Sequence, residues 1–353
     1  MKNSFIGLNL LYVGPLTPGG TCLQRMHALQ QLEISVSQVD TAARLPQLKL
    51  PYPLNAALSR AFTWSTRPSI QSRILKTAAL HQPQIVWIDK GINVLPSTLR
   101  KLREQQANIR LLSYSPDDMF NPQVTTRAYR DSIPLFDLHV TTKSFNVTEL
   151  YAAGARDVLF IDNAFDPELH RPVPTNEQLR SQYGGDVGFI GSYESDREEK
   201  LRFLASRGIA VRIWGDWPKR RSYPAGMLVE GRELIGEAYA QAINSFAINI
   251  CFLRKASRDL QTTRSIEIPA CGGFMLAERT CEHERLFEEA REAAFFSSKE
   301  ELEAKTRYYL GNPEERSRIA AAGRLRCIEG SYSNVSRLSQ VLDYLLSRYP
   351  ISP

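Results

Sequence analysis

Continuous apolar runs alternate along the chain with stretches whose apolar residues recur every three to four positions. Phe5 to Val13 is the first such run; it stops at Gly14-Pro15, and beyond Thr17-Pro18-Gly19-Gly20 a helix is predicted through Leu23, Met26, Leu29 and Leu32. Gln84 to Asp89, Ile109 to Tyr114, Leu138 to Thr142 and Val158 to Ile161 read as further strands, with helices near Leu95 to Gln106 and Val147 to Ala153. The pattern restarts at Asp186 to Tyr193, strand then glycine loop, followed by the charged helix Asp196 to Ser206 and the strand Ile209 to Trp214. An amphipathic helix carrying Leu234, Ile235, Ala238, Tyr239 and Ala242 leads into the run Phe246 to Phe252, and a last strand is predicted near Ala293 to Phe296. Ser298 and Glu301 have capping-box spacing, and 313–347 reads as helical. Runs of this kind suit strands covered on both faces, and their alternation with helices predicts α/β, doubly wound, parallel sheets. The Pro-rich segment Asp166 to Pro174 has a linker's composition, so two domains are predicted, 1–165 and 166–335, with a final helix in 336–353. Residues 48–81 read as a helical insertion with one apolar and one basic side, packed on the domain or touching a membrane surface.

A length of 353 residues favours two cores over one. No apolar run approaches the roughly 20 residues that span a bilayer, and the first residues read as a strand, so a cytoplasmic location is expected. Five scattered cysteines with no C-x-x-C spacing argue against both a disulfide framework and a zinc site. The net charge of +6 is unevenly placed: residues 1–165 hold 17 Lys and Arg against 11 Asp and Glu, leaving 27 against 27 in the rest. That surplus could solubilise the first half, meet an anionic acceptor, or give peripheral contact with the inner membrane surface. With neither a basic run nor a basic stripe interleaved with aromatic residues, a nucleic-acid partner is not expected.

Candidate chemistry concentrates in two places. Asp259 to Ala277 reads as a short helix that Thr262 or Thr263 could cap, broken at Gly272-Gly273 and followed by an apolar strand. In an α/β protein this sets a helix N-terminus at the carboxyl edge of the sheet, where free amides favour a phosphate, with Glu267 placed to accept from a sugar or ribose diol. The alternative is a helix with a glycine end leading into a core strand. The second place is Ser115-Pro116-Asp117-Asp118-Met119, at the end of a predicted strand. Either Asp117 or Asp118 could be a general base, and the same residues are equally good turn and capping chemistry. His139, alone inside a strand, reads as a core residue, and no cluster of metal ligands is evident.

With these residues set out, the chain resembles the GT-B glycosyltransferases, and within them the CgeB-like branch of the group 1 glycosyl transferases. Asp259 to Gly272 is similar to the E-x7-E signature followed by Ala-Cys-Gly, with Asp in the first acidic position and Gln261-Thr262-Thr263 where Phe-Gly-Leu is usual. Phe295 to Leu302, Tyr308-Tyr309-Leu310, Ala322-Gly323-Arg324, Tyr114 to Met119 and Asp137 to Glu149 are similar to the same branch. The resemblance implies two Rossmann-like domains facing across a cleft, the last helix crossing back onto the first. It implies a donor of the UDP-sugar or GDP-sugar type held by the second domain, with no cofactor and no metal required. Glu267 would bind the ribose and Asp259 the donor sugar. The amides of Thr262 and Thr263 and the loop Gly191, Ser192 and Tyr193 would meet the diphosphate, and Gly231 and Arg232 would lie by the base, with Trp214 in the same set. Arg264 is the first choice of cation for the leaving diphosphate, with Arg197 and Lys200 as alternatives. A glycan, lipid-linked or small-molecule acceptor would take the sugar, as in cell-surface glycan synthesis, with Asp117 or Asp118 as base if configuration inverts. The alternative is an inactive GT-B binding or assembly protein of a coat or envelope; a phosphorylase or epimerase fits less well.

Overall fold

The structure, a computed structural model, describes residues 5–42, 68–218 and 222–351. Much of the basic insertion expected at 48–81 lies outside the described residues; 68–81 is helical, with Ile70, Ile74 and Ala78 buried at four-residue spacing. The chain divides into two units, Met1–Asp162 with Val335–Pro353, and Asn163–Asn334.

In the first unit, β1 (Asn9–Gly14), β2 (Ser35–Asp40), β3 (Ile85–Asp89), β4 (Arg110–Ser115), β5 (Leu138–Thr141) and β6 (Val158–Phe160) form one parallel sheet in the order β2-β1-β3-β4-β5-β6. Alternate side chains serve opposite faces. Leu10, Tyr12, Ile85, Trp87, Leu112 and Tyr114 pack with α1 (Thr21–Gln31) and with α13 (Asn334–Arg348), which contributes Leu338, Val341, Leu342 and Leu345. Leu11, Val13, Val86, Ile88 and Leu111 pack with helix 68–81, here α2, and with Leu99 and Leu102 of α3 (Pro96–Gln105). The last helix thus belongs to the core of the unit the chain began with. Two short helices, α4 (Arg127–Ser132) and α5 (Asn146–Ala152), also belong to this unit.

In the second unit, α6 (Glu177–Tyr183) precedes a sheet of β7 (Gly185–Ile190), β8 (Val211–Trp214), β9 (Met227–Val229), β10 (Phe246–Cys251), β11 (Met275–Glu278) and β12 (Ala294–Phe296). Its order is β12-β11-β10-β7-β8-β9, all parallel, so succession reverses between β7 and β10. One face packs on α8 (Glu237–Ser245), α9 (Thr263–Ala270) and α12 (Pro313–Glu329). The other packs on α7 (Ser195–Ser206) and α11 (Lys299–Gly311). A loop from β11 carries the short helix α10 (Cys281–Leu286). Open sheets of this kind bind ligands outside the carboxyl ends of the strands where the order reverses.

Candidate functional site

The carboxyl ends of β7, β8 and β10 are held side by side by the register pairs Ile190 with Trp214 and Phe189 with Ile250. Beyond β7 the chain runs Gly191-Ser192-Tyr193, and each backbone step is fixed. Gly191 N donates to Trp214 O at 2.8 Å, Gly191 O accepts from the Trp217 indole at 2.8 Å, and Tyr193 N donates to Asp216 O at 3.1 Å. A side chain at Gly191 would meet the Phe189 ring at 2.7 Å and the Arg264 Nη2 at 3.0 Å. Gly215, at φ +135, leaves no room for a Cβ against the Gly191 carbonyl. Both glycines are therefore required by close approach of two loops and a guanidinium.

Across from this loop, α9 begins at Thr263, with Thr262 as N-cap. The Thr262 N–H donates to Ser265 Oγ at 3.0 Å, while Thr263 N and Arg264 N have no acceptor among the described residues. Two arginines converge here. Arg197 is 1% exposed; its Nη1 donates to Ser192 O at 2.9 Å and its Nε has no partner. Burial holds its basicity down, Glu194 opposes that, and the neighbouring charges of Arg264 and Arg254 lower it further. Arg264 is half-buried, with its Nε buried and unbonded. Neither has a carboxylate within ion-pair distance among the described residues, because Glu194 is taken by Arg254 at 3.0 Å. Two guanidiniums that make no ion pair among the described residues, beside a glycine loop and a helix N-terminus, form a receptor for an anion with several oxygens. Lys200, the third candidate cation, is tied to Asp196 and to Glu278 (3.1 Å).

Glu267 lies one turn along α9, only 6% exposed. Its Oε2 accepts from the Tyr239 hydroxyl at 2.8 Å and its Oε1 is 3.7 Å from His170 Nε2. The carboxylate keeps acceptor capacity, since each oxygen has two lone pairs, while Tyr239 and His170 enclose it. His170 comes from the Pro-rich segment read as a linker; it is itself buried and meets the Tyr239 ring edge-on.

Other expectations are corrected. Asp259 is not in the helix: the chain passes a 3-10 turn, Lys255–Ser257, a left-handed residue at Arg258 and irregular backbone before α9. Trp214 is fully buried with its indole N–H spent on Tyr183 O at 3.0 Å, so it is a framework residue unable to stack on a base. Arg232, exposed, lies over its ring at 4.8 Å, and Gly231 holds φ +60 while Arg232 O accepts from Gly215 N at 2.8 Å. In the first unit Asp118 is 1% exposed and serves a turn, accepting from Phe120 N at 3.1 Å and Asn146 Nδ2 at 3.0 Å. Asp117 is partly open and pairs with Lys90 at 3.0 Å. Among the described residues no group of three metal-ligating side chains occurs, and no helix is long and apolar enough to cross a membrane.

The roles of Trp217, Tyr239, His170 and Gln261 in the site are not foreseen from the sequence. Gln261, fully buried, accepts from Asn163 N at 3.1 Å and Asn163 Nδ2 at 3.3 Å. The Asn163 contact spans nearly a hundred residues, so no local pattern announces it; Trp217 alone carried a local signal, two residues after a strand-ending glycine.

Residues 197–343 match a family model described as glycosyl transferase-like. No curated protein matches the sequence. Among solved structures the chain is similar to sucrose-phosphate synthase of Thermosynechococcus elongatus, at 14% identity and TM-score 0.67, over 97% of this chain and 100% of that one. It is similar to the HepE protein of Anabaena in complex with UDP and glucose, at 15% identity and TM-score 0.66, over 96% and 100%. A third is the E. coli trehalose-6-phosphate protein bound with UDP-2-fluoro glucose, at 11% identity and TM-score 0.64, over 98% and 100%. Residues 197–343 are thus glycosyl transferase-like in sequence, and along nearly its full length the chain shares the GT-B fold of these solved structures.

Proposed function

We propose that the chain transfers a sugar from a UDP- or GDP-type donor to a hydroxyl acceptor, with the donor held at the carboxyl edge of the second sheet. The observation that carries this reading is the pair Arg197 and Arg264, left without carboxylates beside the Gly191 loop and the start of α9. Departure of a nucleoside diphosphate concentrates negative charge on phosphate oxygens, and preorganised cations in a site of low dielectric stabilise that charge more than they stabilise the donor. Gly191, Ser192, Tyr193, Thr262 and Thr263 would line the diphosphate, Gly231 and Arg232 the base, Glu267 the ribose and Asp259 the donor sugar. The two structures bound to UDP-type ligands, of the Anabaena and E. coli proteins, favour a UDP-sugar as the first donor to try. With two guanidiniums supplying positive charge, turnover would need no divalent cation and survive chelation. If configuration inverts, Asp117 is the base, since Asp118 is committed to its turn. A glycan, lipid-linked or small-molecule acceptor, a cytoplasmic location with or without peripheral contact at the inner membrane surface, and membership of the CgeB-like branch complete the reading.

Calorimetric titration with UDP and GDP, followed by turnover with a panel of UDP- and GDP-sugars, tests it. Arg264→Ala should weaken nucleotide binding about tenfold, the worth of one charge-assisted contact. Binding of neither nucleotide overturns the proposal. A second reading, a binding or assembly protein without turnover, is favoured by Glu267 being enclosed by Tyr239 and His170. Nucleotide binding with no transfer or hydrolysis for any donor supports it.

A further inference from the structure

Behind the first turn of α9, outside the proposed donor contacts, two residues of α10 and its cap grip the chain. Thr280, the N-cap of α10, donates through Oγ1 to Leu260 O at 2.6 Å and accepts from His283 N at 3.1 Å. The His283 ring is fully buried, stacked parallel to Phe295, with Nδ1 2.6 Å from Glu278 O and Nε2 2.7 Å from Ser265 Oγ. A carbonyl oxygen only accepts, so Nδ1 carries the proton and Nε2 is the acceptor. The Ser265 hydroxyl must then donate to Nε2, which points its lone pairs at the Thr262 N–H it accepts at 3.0 Å. One proton order therefore runs from the β11 carbonyl to the turn that leaves the Thr263 and Arg264 amides open. Burial keeps this imidazole neutral by lowering its pKa from 6.5 to about 4.

We infer that His283 is a positioning residue for the donor site: acting through Ser265, it fixes the first turn of α9 so that its free amides and Arg264 face the diphosphate. The inference rests on the nucleotide-donor reading. Its test separates an acceptor at Nε2 from a donor at Nδ1. Glutamine places its side-chain oxygen near Nε2 and can still accept from Ser265, whereas asparagine places its amide near Nδ1 and leaves the serine without an acceptor. Expected are Kd values for UDP, or for GDP if that is the nucleotide bound, raised about tenfold in His283→Asn and in Ser265→Ala, and less than threefold in His283→Gln. The double variant Ser265→Ala with His283→Asn should be no weaker than Ser265→Ala alone, because both break one relay. In the unsubstituted protein, nitrogen-15 NMR of the imidazole should show the Nδ1–H tautomer, a readout that needs no variant to fold. Equal Kd values for the asparagine and glutamine variants, additive losses in the double variant, or an Nε2–H tautomer overturn the positioning role while leaving the donor site standing. Failure of the unsubstituted protein to bind either nucleotide removes the donor site and this role with it.

Discussion

Asp117 and Asp118 are adjacent and chemically identical, and a sequence offers no way to choose between them. The fold chooses through Asn146, twenty-eight positions away, whose amide donates to Asp118 and to Glu149 (2.7 Å). Asp118→Ala should therefore cost about 1–3 kcal/mol of stability, the penalty for leaving buried donors unmade, whereas Asp117→Ala should leave the denaturant midpoint nearly unchanged; urea melts separate the two. A larger loss is expected at Asp89. Its carboxylate accepts from Arg25 Nε at 2.6 Å, Arg25 Nη2 at 3.0 Å and the Tyr12 hydroxyl at 2.5 Å, all of them buried. Asp89→Ala strands the Arg25 guanidinium and should destabilise by about 3–5 kcal/mol. Asp89 was readable as the end of a strand, but its partners on β1 and α1 were not, being more than sixty residues distant. In the second unit the Asp259 and Glu267 spacing was legible and the closure of Glu267 by Tyr239 and His170 was not, for the same reason.

Strands buried on both faces announced themselves, while β2 and β9 did not. Both lie at sheet edges, and β2, Ser-Val-Ser-Gln-Val-Asp, buries only Val39, so no apolar run marks it. Helix starts were more legible, because a cap is local chemistry. Ser298 accepts from Glu301 N at 3.1 Å, and the Glu301 carboxylate accepts from Ser297 N at 2.8 Å. Ser298→Ala should cost about 1 kcal/mol in thermal or urea unfolding. Two histidines held neutral inside their elements give a pH dependence. Burial lowers His139 in β5 and His283 in α10 from 6.5 to about 4. Between those values the unfolded chain binds protons that the native state does not, so stability is full above about pH 6.5, declines toward pH 4 and levels off below. Each contributes up to roughly 3 kcal/mol across that window. Unfolding midpoints that stay flat from pH 7 to 4.5 in His139→Gln combined with His283→Gln, and fall in the parent, are the expected result.

The last helix shows how distant parts of the chain share a core. Leu338, Val341, Leu342 and Leu345 of α13 join Leu10, Trp87 and Tyr114, and Tyr344 donates to Asp157 at 3.0 Å. Leu342→Ala should cost about 2–5 kcal/mol, and removal of 335–353 should expose the sheet face beneath, seen as dye binding and self-association of the truncated chain. Periodicity by itself determined the alternation of strands and helices, the presence of two α/β units, and the glycine loop and helix start that flank the proposed phosphate site, because each depends on neighbours within one element. Which arginines lack a carboxylate partner, which aspartate is structural, whether Glu267 is open, and which ring nitrogen of His283 bears the proton were decided by tertiary structure alone. Those properties depend on partners that sequence separation hides, and on burial, which converts an ordinary polar side chain into one whose every hydrogen bond counts.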